Sequence, residues 1–203
     1  YGVHIWGDLD APYMNFESGP RMASCDNFRI EVEGKSAHGS TPHQGVDAIL
    51  AAAHIITEIQ TVVSRMNDPL NPLVITVGTI NGGQRFNILA DKVVMEGTTR
   101  THSPKMRQKT EPLLRRIIEN TADSMGAKAT LTFEYFPAPI INDHEDLVRI
   151  ARNAATKMYG TDSLKPFPKM MISEDFAYYM EKVPGVFGLV GSQNRDLGLT
   201  AKN

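Results

Sequence analysis

The sequence predicts an α/β protein. A β-α-β-β-α-β unit, four antiparallel strands with two helices on one face, is inserted between two segments of a second α/β unit. Three observations carry that expectation. Strand-like alternation switches to helical spacing and back between residues 24 and 136. The pattern changes after Pro137-Ala-Pro139. The stretches on either side read as pieces of something else, which places the divisions at 1–23, 24–137 and 138–203.

The elements follow in order. Tyr1 to Trp6 is a short apolar run and reads as a buried strand. Gly7 to Pro20, with Gly, Pro, Asp and Asn, reads as a loop. Phe28 to Val32 alternates with period two, as a half-buried strand does. Gly34 to Gly45 is a polar loop carrying His38 and His43. Val46, Ile49, Leu50, Ala53 and Ile56 then fall on one helical face, and that helix is expected to end near Met66. Leu73 to Ile80 and Val93 to Thr101 are β-branched and read as strands, broken by Gly82-Gly83. Ser103-Pro104 opens a helix with a cap and a first-turn proline. Leu114, Ile117, Ile118 and Met125 share its face, and Gly126 stops it. Lys128 to Phe136 alternates again. Beyond the prolines, Asp146 to Met158 and Glu174 to Glu181 read as helices, and Gly185 to Val190 as a short buried strand.

Four strands in this order form one antiparallel sheet, whose second face is left partly exposed or used for contact. The chain has 203 residues, 41% of them hydrophobic and 22% charged, which is enough apolar material for a real core. The net charge of −2 argues against binding nucleic acid. No apolar run approaches the roughly 20 residues of a membrane span. The single cysteine, Cys25, excludes an internal disulfide and fits a reducing, cytoplasmic setting. Residues 1–7 read like the interior of a fold, and Thr200-Ala-Lys-Asn closes no element. The sequence is therefore expected to be a piece of a longer polypeptide.

Several residues carry possible chemistry, each with a plainer reading. His4 is either a core histidine or a metal ligand at a strand end. His38 and His43 lie among small residues in GKSAHGSTPHQG, which leaves a ring free to meet a ligand or merely forms a helix entry. Arg100 offers a planar fork for a carboxylate, or a surface ion pair. Asn87 offers an amide to a carbonyl, or a turn. Glu174-Asp175 is a carboxylate pair beside aromatic residues, suited to acid–base work; alternatively, Ser173 caps a helix whose first turn they occupy. No phosphate loop, G-x-S-x-G elbow or HExxH is present.

Taken together, the blocks YGVHIW, SGPRMASCDNF, VEGKSAHGSTPHQGVDAI, VGTINGGQRFNILAD, MEGTTRT and ISEDFAYY followed by VPGVFGLVG resemble one family. These are the metal-dependent amidohydrolases related to aminoacylase, hippurate hydrolase, indoleacetyl-amino-acid hydrolases and N-acetyl-diaminopimelate deacetylase. The resemblance covers nearly the whole chain. It implies that residues 24–137 are an inserted lid, or dimerisation, domain, flanked by segments of a metallopeptidase-like catalytic domain. It implies a metal-binding role for His4 and a catalytic role for His38, which would reach a partner's active site and polarise the scissile carbonyl. Asn87, Arg100, Glu174 and Asp175 become substrate-binding residues, with Arg100 on the substrate carboxylate. Further implications are two divalent ions (zinc or manganese), N-acyl amino acid substrates and a homodimer formed through the lid. The family's H-x-C-G-H-D stretch and its Glu-Glu pair do not occur here. This carboxyl-side chain is accordingly expected to be inactive alone and to bind no ion stably. A carboxypeptidase-type relative, a lid module that only self-associates and a generic ligand-binding protein are the alternatives.

Overall fold

A computed structural model describes residues 1–199. The tail Thr200 to Asn203, expected to close no element, lies outside the described residues. In chain order the main elements are β1 (Gly2–Asp10), β2 (Met14–Asn15), β3 (Gly19–Met22), β4 (Asp26–Glu33), α1 (Ala48–Thr61), β5 (Leu73–Gly82), β6 (Lys92–Thr101), α2 (Pro104–Ser124), β7 (Lys128–Tyr135), β8 (Ile140–Asn142), α3 (Glu145–Tyr159), α4 (Ala177–Met180) and β9 (Phe187–Gln193). They divide into two compact units, one of residues 24–136 and one of residues 1–23 with 137–203.

The continuous unit is a four-stranded antiparallel sheet in the order β5-β6-β4-β7. Alternation decides its faces. Phe28, Ile30 and Val32 on β4, with Val93 and Met95 on β6 and Leu131 on β7, pack against α1 and α2. Each such side chain contributes about 1.5–3 kcal/mol of burial. The opposite face carries charge: Arg29 pairs with Glu31 at 2.8 Å and with Glu96 at 2.9 Å, and Lys92 pairs with Glu31 at 2.9 Å. Gly97 lies where the Phe28 ring crosses β6, and a methyl there would come within 2.2 Å of that ring. Both helices are capped, α2 by the serine expected from the sequence. Asp47 accepts from the N–H groups of Ile49 and Leu50, and Ser103 accepts from that of Met106.

One expectation about α1 fails. Its buried face is Ala48, Ala51, Ala52, Ile55 and Ile59, whereas Ile49 and Leu50 are 46% and 52% exposed and Ala53 is also exposed. The helix is apolar on two sides, so periodicity alone gives two candidate faces. The alanine-rich side wins because small side chains let the helix lie close on the sheet. The regular helix also ends at Thr61, and Val62–Met66 form a wider π-type turn.

The discontinuous unit holds a three-stranded sheet, β1-β9-β2, with β1 parallel to β9 and β2 antiparallel to it, and a two-stranded antiparallel pair, β3-β8. Asn142 ties β8 to the central strand: its amide donates to the Phe187 carbonyl and its Oδ1 accepts the Phe187 N–H. Val148, Ala151 and Ala155 form the buried stripe of α3. Three sequence expectations are corrected here. β1 is a strand, but among the described residues it pairs on one side alone, with β9, and Val3 and Ile5 are exposed. The expected loop from Gly7 to Pro20 contains the end of β1, the short β2 and the start of β3. The expected helix from Glu174 shrinks to the single turn of α4, leaving Glu174 and Asp175 ahead of it and Ser173 not its cap.

Candidate active-site residues in two clusters

The first cluster belongs to the discontinuous unit. His4 lies on β1 in register with Leu189 of β9. Its Nδ1 is 2.6 Å from the Ile5 carbonyl oxygen. A carbonyl only accepts, so Nδ1 carries the proton and Nε2 is left with a free lone pair. That is the wiring metal-binding histidines use, where the second nitrogen donates to a carbonyl or carboxylate. The free Nε2 is 3.9 Å from Glu174 Oε2. Trp6 stands beside His4 edge-on, with ring centroids 5.7 Å apart, and Phe167 packs edge-on against Trp6 in turn.

Phe176 brings Glu174 to that position. Its ring stacks on Tyr179 and packs on Phe187. It also fills the space where a side chain at position 2 would be: a methyl on Gly2 would meet it at 2.7 Å. The turn before α4 is thus pinned under β1 by an aromatic ring. Glu174 is half-buried, and that burial raises its carboxyl pKa above the ordinary value. A hydrogen bond with Asp175 adds to the rise, while the His4 ring opposes it when it carries charge. Asp175 itself is exposed. Among the described residues no group of three or more His, Cys, Asp or Glu side chains converges as a metal site would require. His4 is wired as a ligand, but the described residues do not bring together the three protein ligands a catalytic zinc uses.

The second cluster belongs to the continuous unit. The loop after β4 and the loop before β6 are stitched by backbone bonds. Gly39 N–H donates to the Asn87 carbonyl at 2.8 Å, and Leu89 N–H donates to the Ala37 carbonyl at 2.9 Å. This bridge sets His38 opposite Ile88, next to Asn87, with both His38 and Asn87 exposed. Gly39 gives the close approach, since a methyl there would be 3.2 Å from the Asn87 carbonyl oxygen. His38 and Asn87, singled out separately in the sequence, are therefore neighbours.

Arg100 is not with them. It lies at the far end of β6, opposite Val74, whereas the two loops leave the sheet near Val93 and its partners Val32 and Gly82. Arg100 lies seven steps along the strand from Val93, roughly 23 Å at the usual rise. Arg100 makes no ion pair among the described residues. His43 sits in a 3-10 turn, Pro42–Gln44, and is exposed. Cys25 is half-buried, its Sγ 3.8 Å from Thr98 Oγ1. Sequence reasoning missed Ser40, whose contacts with His38 are described below, and the exposed apolar stripe of α1. The second was legible in principle, because AILAAAHIITEI has two apolar sides.

Residues 25–125 match the peptidase dimerisation domain of the M20 family. The chain belongs to that family of metal-dependent peptidases and amidohydrolases. It is 37% identical over 191 residues to an N-acetyl-L-cysteine deacetylase of Bacillus subtilis, covering 94% of this chain and 45% of that protein. It is 32% identical over 200 residues to IAA-amino acid hydrolase ILR1-like 4 of Arabidopsis thaliana, covering 96% of this chain and 45% of that one. A crystal structure of a Bacillus subtilis dinuclear metal binding peptidase from the M20 family superposes with a TM-score of 0.76 at 29% identity, covering 94% of this chain and 47% of the other. The chain spans about half the length of the curated relatives it matches.

Proposed function

We propose that the chain serves, within a longer protein, in the metal-dependent hydrolysis of N-acyl amino acids. The carrying observation is the His38–Asn87 pair, two hydrogen-bonding side chains held side by side on stitched loops and open to solvent. The names of the two curated relatives above, each joining an amino acid to a group that is removed, support the substrate class. Two divalent ions, zinc or manganese, would supply an activated water when bound. The chain contributes His4 as one ligand, so the steps assigned to its residues are binding, orientation and hydrogen-bond donation.

In this reading His38 donates to the scissile carbonyl oxygen as negative charge develops there. That interaction is strongest in the transition state and so raises turnover. Asn87 holds the amide, and Arg100 pairs with the α-carboxylate through charge-assisted hydrogen bonds. Glu174, kept toward its protonated form by burial, lines the site beside His4, with Asp175 next to it. The separation of Arg100 from His38 is too long for one small substrate to touch both on one copy. A homodimer resolves this, with His38 and Asn87 from one protomer and Arg100 from the other.

The dimer is supported by the surface of the dimerisation domain. Ile49 and Leu50 of α1 are exposed, as are Ile80 at the end of the edge strand β5 and Phe86 in the following loop. Ile49 Cδ1 approaches the Cβ position of Gly83 to 3.3 Å, so the helix stripe and the strand end form one patch. A second copy of the chain is its occupant in this reading. The domains also take the names given them by resemblance: 24–137 the lid, 1–23 and 138–203 catalytic-domain segments. The deciding experiment is His38→Ala in the longer protein. Turnover of an N-acyl amino acid is expected to fall about 10²- to 10³-fold with metal content unchanged. Normal turnover in that variant would remove the donor role.

A further inference from the structure

His38 and His4 are wired in opposite senses. His4 Nδ1 faces a carbonyl oxygen and must donate. His38 Nδ1 faces the backbone N–H of Ser40, at 3.2 Å, and must accept, because an N–H only donates. The Ser40 hydroxyl is 2.7 Å from the same nitrogen. With the N–H already fixing Nδ1 as the acceptor, that hydroxyl is also placed to donate to it. The neutral His38 ring therefore carries its proton on Nε2, pointing away from its own loop.

We propose that Ser40 is a positioning residue: its N–H and its hydroxyl grip Nδ1, commit His38 to the Nε2–H tautomer, and so present a hydrogen-bond donor to the substrate carbonyl. The inference rests on the donor role proposed for His38. An unrestrained imidazole samples both tautomers and rotates about two side-chain bonds. A donor that must meet one oxygen gains from having both freedoms removed beforehand. The rest of the loop is built to the same end. The Thr41 N–H and hydroxyl both donate to the His38 carbonyl, at 2.9 and 3.3 Å, and Gly39 N–H is fixed on Asn87. The backbone carrying the ring is held from both sides, and Ser40 then sets the ring itself. The two histidines thus show one physical rule giving two roles. The partner of Nδ1 decides whether Nε2 offers a lone pair, as in His4, or a proton, as in His38.

The test is nitrogen-15 NMR of the histidine rings in the 203-residue chain, at a pH where the imidazoles are neutral. A ring nitrogen without a proton resonates far from one that bears it. The expected spectrum has an unprotonated Nδ1 and protonated Nε2 for His38, and the reverse for His4. Ser40→Ala keeps the N–H and loses the hydroxyl, so its His38 signals are expected to move toward the averaged values of a mobile imidazole. Ser40→Thr should restore them. In the longer protein Ser40→Ala should lower kcat at least about tenfold with KM little changed, and Ser40→Thr should recover it. A protonated Nδ1 in the wild type, or His38 signals indifferent to Ser40→Ala, overturns the proposal. The two readings fail separately. If His38→Ala leaves turnover normal while the NMR pattern holds, the donor role fails and takes the purpose of the grip with it. If His38→Ala abolishes turnover while the tautomer is the other one, the donor role stands and the Ser40 inference falls.

Discussion

Asp26 and Arg107 form the most buried ion pair described, with side chains 1% and 13% exposed. Arg107 meets the carboxylate through Nε and Nη2, the Phe136 N–H also donates to it, and Arg107 lies over the Tyr135 ring. Both carboxylate oxygens accept from Arg107, so removing one end strands the other. Arg107→Ala is expected to cost about 3–5 kcal/mol in urea unfolding, far more than breaking the exposed pair of Lys92 and Glu31. Glu174 makes the opposite kind of prediction. Its folded-state pKa is raised, chiefly by burial, so the folded protein holds that proton more tightly than the unfolded chain does. Stability from this group is therefore full below the unfolded carboxyl pKa and falls as pH rises through the folded one. Glu174→Gln should flatten that decline, and unfolding midpoints measured from acid to neutral pH will show whether it does.

At the scale of elements, α1 shows how a helix can satisfy a fold and still leave an apolar stripe open. Its alanine side closes on the sheet, and its Ile49–Leu50 side does not. Ile49→Asp combined with Ile80→Asp is expected to abolish self-association in analytical ultracentrifugation. Thermal stability should change by less than about 0.5 kcal/mol per site, as for surface substitutions generally. A large loss of stability would mean that the stripe belongs to the protomer's own core. The same elements show what patterning reveals. The alternation in β4 and β7, the cap Ser103, and the stop at Gly126 were all readable, because each is a local stereochemical demand. The length of the EDF helix was not. Its shortening to one turn follows from Phe176 being held against Gly2 and Phe187, contacts distant in sequence.

At the scale of the molecule, the chain is a family member that carries one wired metal-type histidine and no convergent set of three ligands among its described residues. Dialysed against zinc or manganese, the 203-residue chain is expected to retain less than one equivalent of metal. It should also hydrolyse no N-acyl amino acid in a ninhydrin assay. Two tightly held ions, or measurable turnover, would show that these residues build the whole centre. Among the described residues no helix is long and apolar enough to cross a membrane.

The amino-acid sequence alone determined the order of strands and helices between residues 24 and 136, the Ser103 helix cap, and the identities of the candidate residues. These depend on spacing and on near neighbours along the chain. The tertiary structure decided which of two apolar faces α1 buries. It also decided that His38 and Asn87 meet while Arg100 stands a sheet-length away. Those outcomes depend on backbone groups brought together by folding, and no periodicity encodes them.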